Sequence, residues 1–188
     1  MTMYKAADGY EPHDLYVFGV DQYEAAMYLF GAPDGHGRYL DSAGYLGHMA
    51  IELFLKAWQL SVAKEFPQTH SLRGLWAKLE EWGKAPTLTD DQREVLRVFD
   101  EFEELRYPSP TRMPEIGTVH GAALNELVQL LNKSLPDDVM SDPSPDSGHF
   151  TKGKRVLMQR KFQPGEFTTK AALDPFWKPT IAPGAKEK

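Results

Sequence analysis

Apolar residues recur at spacings of three and four along most of the chain, in five blocks separated by recognisable stops. The first block runs from about Pro12 to Phe30, with Tyr16, Val20, Tyr23, Met27 and Phe30 on one side, and stops before Gly31-Ala32-Pro33-Asp34-Gly35. The second runs from Leu40 to Ala63 and stops before Pro67. The third opens near Thr69-His70-Ser71, carries Leu72, Leu75, Trp76, Leu79 and Trp82 on one face, and closes at Gly83. The fourth opens on Thr89-Asp90-Asp91-Gln92, a capping box in which the Thr hydroxyl and the Gln side chain satisfy free backbone amides. It turns Val95, Phe99, Phe102 and Leu105 inward and ends at Pro108, which disfavours a helical conformation at Tyr107. A loop rich in Pro, Ser and Thr leads to the fifth, from about Thr118 to Leu135, with Val119, Ala123, Leu127, Leu130 and Leu131 as its apolar side. The pattern predicts an all-α domain over residues 12–135.

The second block departs from simple amphipathicity. His48, Glu52, Lys56 and Gln59 form a narrow polar stripe, while Tyr45, Met49, Leu53, Leu55 and Trp58 cover the rest. Such a stripe faces water, another subunit or a site, because buried ionisable groups are costly unless paired. Taken alone it reads as a solvated strip with a Glu52–Lys56 pair at helical spacing. The apolar remainder, Phe54 and Trp58 included, exceeds what one thin bundle is expected to cover and predicts a homodimer.

Beyond Pro136 the composition changes. Residues 136–149 read as a linker, and residues 150–188 as a basic, Pro-rich, extended C-terminal tail. Within the tail, Arg155–Phe162, the turn-like Pro164-Gly165 and Phe167–Thr169 can pair as a small β-hairpin, which is marginal in water unless it docks. The overall charge of −6 is uneven: residues 1–149 carry −12 and residues 150–188 carry +6. An acidic body is a poor general surface for a phosphate backbone, so any nucleic-acid contact is local or comes from the tail, which is also expected to lie on the acidic body. With no cysteine there is no disulfide, thiolate metal site or thiol nucleophile, and a reducing, cytoplasmic setting is expected. No segment has the length and apolarity of a signal peptide or a membrane span.

Three signatures stand in order: Ala50-x-Glu52-x-x-x-Lys56-Ala57 in the second helix, Phe66-Pro67-Gln68-Thr69-His70-Ser71-Leu72 opening the third, and Arg106-Tyr107-Pro108 closing the fourth. With these the chain resembles the HEPN family of small helical bundles. The resemblance implies an up-and-down bundle, frequent dimers, and roles in RNA cleavage, nucleotide or RNA binding, and toxin–antitoxin or phage-defence systems, where a nucleotidyltransferase-type protein is the partner to expect. Ribonuclease members carry an Arg followed four to six residues later by a His. Here Arg106 is followed by Tyr107-Pro108-Ser109-Pro110-Thr111-Arg112, and the next histidine is His120.

The candidate residues follow from these readings. For metal-independent RNA cleavage, Arg106 would stabilise phosphorane charge and His120 would act as the base; against this, His120 suits the start of its helix, and Arg106 stands near Glu103 at a helix end. For ligand binding the candidates are His48, Glu52, Lys56, Arg106 and Tyr107, since Arg106 can grip a phosphate and Tyr107 can stack on a base without proton transfer. His70 is expected to help begin its helix. The six histidines form neither a His-x-x-x-His pair nor a His-Glu-x-x-His motif, so neither a metal nor another cofactor is expected. Glu101, Glu103 and Glu104, after Asp100, read as a solvated face. The function expected is a helical module that binds a nucleotide, RNA or a protein partner. The alternatives are a metal-independent endoribonuclease and a purely structural dimeric interaction module.

Overall fold

The structure, a computed structural model, describes residues 2–31, 39–106, 115–117 and 119–140, with the backbone alone for Leu105 and Arg106. The helices are α1 (Pro12–Phe30), α2 (Leu40–Ala63), α3 (Leu72–Glu81), α4 (Asp90–Glu101), α5 (Val119–Ser134) and the short α6 (Asp137–Met140). A 3-10 turn, Phe102–Arg106, extends α4. Two short strands, β1 (Met3–Lys5) and β2 (Glu65–Pro67), pair antiparallel with Tyr4 opposite Phe66. The predicted helical bundle is present. The two-stranded sheet is an addition to the all-α expectation, made by a left-handed turn at Lys64 (φ 62°) that throws the chain out of α2 beside the N-terminal segment.

Local sequence explains the helix boundaries. Pro12 occupies the first turn of α1, where its missing N–H costs nothing. Ser71 caps α3 by accepting from the Gly74 amide at 3.2 Å. The Thr89–Gln92 capping box forms in both directions, at 2.9 and 3.2 Å.

The core lies between α1 and α2 and is closed by α3, α4 and α5. Tyr16, Val20, Tyr23, Met27 and Phe30 are all buried, as their spacing predicts. Two of them also carry a polar seam, because the Tyr16 hydroxyl donates to Asn132 at 2.9 Å and the Tyr23 hydroxyl to Asn125 at 2.6 Å, which fixes the α1–α5 register. Burial pushes the Tyr23 hydroxyl up to about 12, so it stays a donor. At Gly47 a Cβ would stand 2.5 Å from the Phe99 ring and 3.0 Å from Leu124, so glycine lets α4 and α5 close on α2.

Several expectations are corrected. Val119 is 71% exposed; of the expected face of α5, Leu127 and Leu131 are buried, and they are joined by Leu124 and Val128. Phe54 and Trp58 are buried within a single chain, so α2 by itself does not demand a second subunit. The first residues of the expected linker form α6: Val139 is fully buried, His13 Nδ1 donates to its carbonyl at 3.1 Å, and Ser61 Oγ donates to Asp138 at 2.8 Å. Tyr107, the Pro108 stop and the tail with its hairpin lie outside the described residues. Among the described residues, no helix is long and apolar enough to cross a membrane.

Candidate functional site

The polar stripe of α2 is buried, which overturns its reading as a solvated strip. His48 is 1%, Glu52 3%, Lys56 7% and Gln59 0% exposed. Their partners come from elements far along the chain. His48 Nδ1 donates to the Phe99 carbonyl of α4 at 2.8 Å, and Gln59 Nε2 donates to the Leu75 carbonyl of α3 at 2.7 Å. His48, Glu52 and Lys56 therefore sit beneath the surface and do not line an open cleft.

Glu52 is the hub. Lys56 Nζ donates to its Oε1 at 2.5 Å, and the other side of this ammonium lies 5.6 Å from the Phe66 ring centre, in a cation–π contact that shields it from water. His70 Nδ1 lies 3.1 Å from both carboxylate oxygens. His48 Nε2 stands 3.4 Å from Oε2, close enough to act electrostatically but without the direction of a hydrogen bond. Burial alone would raise the Glu52 pKa; His48, the charge and hydrogen bond of Lys56, and the hydrogen bond of His70 outweigh it and hold the carboxyl at about 2. Glu52 is thus a carboxylate throughout the physiological range.

His70 does not cap α3, as its position suggested; that role falls to Ser71. Its ring turns onto Glu52, yet 40% of the side chain remains exposed. The segment that carries it is held from the other side by Asp100, a residue that sequence reasoning passed over. Asp100 accepts from the Leu72 amide at 2.5 Å and from Arg73 Nε at 2.7 Å, with only 7% of its side chain exposed. A signal for it existed: Phe99 and Phe102 face inward, and Asp100, one position from Phe99, sits at the edge of the packed face.

The remaining candidates fall elsewhere. The 3-10 turn that ends at Arg106 packs on α2, and its direction follows from the contacts: Phe99 meets Gly47 and His48, whereas Phe102 approaches Gly44. The chain therefore runs toward the N-terminal end of α2, away from Glu52. His120 serves the start of α5, its Nδ1 accepting from the Gly117 amide at 2.8 Å while its ring meets Phe102 edge-on at 5.9 Å. Among the described residues no group of three or more His, Asp or Glu is placed to hold a metal ion.

A family model for the HEPN domain matches residues 21–117, more than half of the chain. The chain belongs to the HEPN family. The matched segment of this HEPN domain includes His48, Glu52, Lys56, His70, Asp100 and Arg106, whereas α5 with His120, the strand β1 and the tail lie beyond it. No curated protein and no solved structure gives a significant match.

Proposed function

We propose that this HEPN domain binds short single-stranded RNA, with His70 as one contact and Arg106-Tyr107 as the other. The observation that carries the reading is the Glu52–His70 contact: a buried carboxylate with a fixed negative charge orients a surface imidazole. Nucleotide-related roles are common in the family, and an oriented imidazole suits hydrogen bonding to phosphate or ribose. Arg106 grips a phosphate and Tyr107 stacks on a base. A short oligomer is favoured over a mononucleotide because Phe102 packs at Gly44, eight positions and about 12 Å of helix axis before Glu52, and the chain runs on from there away from Glu52. His48, Glu52 and Lys56 hold the site from beneath.

Titration with trinucleotides and with mononucleotides, followed by amide chemical shifts, tests the reading. Trinucleotides should move the signals of His70, Arg106 and Tyr107 at lower concentration than mononucleotides do. Arg106→Ala should weaken binding by about 1–3 kcal/mol, the scale of a charge-assisted hydrogen bond. Absence of binding by any oligonucleotide at low salt would leave a protein-interaction module as the function. HEPN domains often dimerise; homodimerisation and pairing with a nucleotidyltransferase-type protein in a toxin–antitoxin or phage-defence system belong to the same proposal, and co-expression followed by light scattering tests both.

A further inference from the structure

The core strip of α1 has a counterpart on the other side of the helix. Asp14, Phe18, Asp21, Ala25 and Tyr28 recur at spacings of four, three, four and three, each two residues ahead of a core residue, so they lie on the face opposite the core. Phe18 is 37% and Tyr28 42% exposed, and Ala25 between them is exposed as well. The helix and its approach carry Glu11, Asp14, Asp21 and Glu24, while between Lys5 and Arg38 the chain has no lysine or arginine. On α3 and α4 the acids come with basic partners of their own, Arg73 with Asp100, Lys78 with Glu81, Arg93 with Glu80, and Arg97 with Glu94 and Glu101. A solvent-facing strip that is aromatic and acidic together has the chemistry to receive a segment that is apolar and basic.

We propose that this strip of α1 is the docking face for residues 150–162 of the same chain. That segment holds Lys152, Lys154, Arg155, Arg160 and Lys161 with no acidic residue, and Val156, Met158 and Phe162 among its apolar ones. The described chain ends at Met140 in α6, and α6 is fastened to the first turn of α1 by the hydrogen bond from His13 to the Val139 carbonyl, so the segment sets out from one end of the strip. Nine residues separate Met140 from Phe150 and reach about 30 Å when extended; α1 is about 28 Å long, which puts every point of the strip within range. Phe18 and Tyr28 stand about 15 Å apart along the axis, and Val156–Phe162 covers about 20 Å when extended, enough to set apolar side chains against both rings. Opposite charge draws the segment to α1 in preference to α3 and α4, whose acids are already paired, and the aromatic contact adds a part that salt does not screen. The short connection holds the segment at an effective concentration on the order of millimolar, so a contact that is weak between separate molecules suffices within one. Asp14 and Phe18 precede the segment matched to the HEPN family and the tail follows it, so the contact joins parts of the chain outside that match.

The test uses the full chain. Because it has no cysteine, Gln159→Cys places a single spin label in the segment, and amide signal intensities are compared before and after the label is reduced. At low salt the signals of Asp14, Phe18, Asp21, Ala25 and Tyr28 should lose most of their intensity, and those of α3 and α4 should keep theirs. Raising the salt from about 0.05 M to about 0.5 M should return part of the loss but not all of it. Asp14→Lys combined with Tyr28→Ser should abolish the loss; Arg160→Glu combined with Lys161→Glu should do the same while leaving the described residues untouched, which keeps the test decisive where the first variant folds poorly. Full intensity along α1 overturns the proposal and leaves the tail to an external partner, and loss centred on α3 and α4 overturns it in favour of a different face. Isotope-labelled chains without the spin label, mixed with spin-labelled chains without the isotope, should show no loss. Loss in that mixture assigns the strip to the tail of a second copy and overturns docking within one chain.

Discussion

Replacing Glu52 by Gln should change how stability depends on pH, and the structure fixes the direction, the window and the size of the change. The Glu52 carboxyl is held at about 2 in the folded protein against an ordinary value of 4.5. A depressed folded-state pKa contributes stability that is fully present above the unfolded value and is lost as pH falls toward the folded one. The window is therefore pH 4.5 down to about 2. The difference of about two and a half pKa units corresponds to about 3 kcal/mol, of which about 2 kcal/mol is gone by pH 3. Glu52→Gln has no such titration. The assay is urea unfolding at several pH values between 6.5 and 3, comparing the two proteins at each. Near neutrality the variant should be less stable, since Lys56 loses its counter-charge inside the bundle. Between pH 5 and pH 3 the gap should narrow by about 2 kcal/mol, because only the wild type loses the stability that the Glu52 carboxylate contributes. Two curves that stay parallel over that range would show that Glu52 is not held as a buried carboxylate, and would remove the electrostatic basis for the His70 site.

Asp100→Ala should destabilise the protein by about 1–3 kcal/mol in urea unfolding, because it strips the Leu72 amide and Arg73 of a buried partner. Gly47→Ala should cost about 1–3 kcal/mol in the same assay despite alanine's better helix propensity, since its Cβ would press on the Phe99 ring. Val139→Ala should lower stability by about 1–3 kcal/mol if α6 is part of the folded core, whereas an unchanged midpoint would show α6 to be dispensable.

The helices were legible in the sequence because local signals mark their ends. Pro12 and Gly31 bracket α1, and the Thr89–Gln92 box opens α4. The strands were not, since three residues are too few to show alternation, and their pairing joins Tyr4 to Phe66 across the whole of α1 and α2. Periodicity placed His48, Glu52, Lys56 and Gln59 on one side of α2 but carries no information about what packs there. The partners that bury the stripe, the Phe99 carbonyl and the Leu75 carbonyl, are backbone groups with no signature of their own. In α5 several apolar faces were available, and the choice of Val119 failed because α5 sets its register through Asn125 and Asn132 on Tyr23 and Tyr16. The candidate site was half visible: Glu52 and Lys56 stood out by spacing, but the meeting of His70 with Glu52, and the capping of α3 by a carboxylate from α4, are tertiary facts.

The cost of burying Glu52 bears on what the cluster is for. A buried ion pair gains little over apolar residues of similar volume, which often stabilise a bundle as well or better. The Glu52–Lys56 pair is therefore poorly explained as a device for stability, and α2 has no shortage of apolar residues to put in its place. What a leucine at position 52 could not do is fix the tautomer and orientation of His70, whose ring reaches the surface. The same reasoning applies to Asp100, because Ser71 already caps α3, and the carboxylate adds a hold on the solvent-facing Arg73. Two buried anions thus hold two basic side chains at the surface around the start of α3, an orientation that apolar residues in their place could not supply.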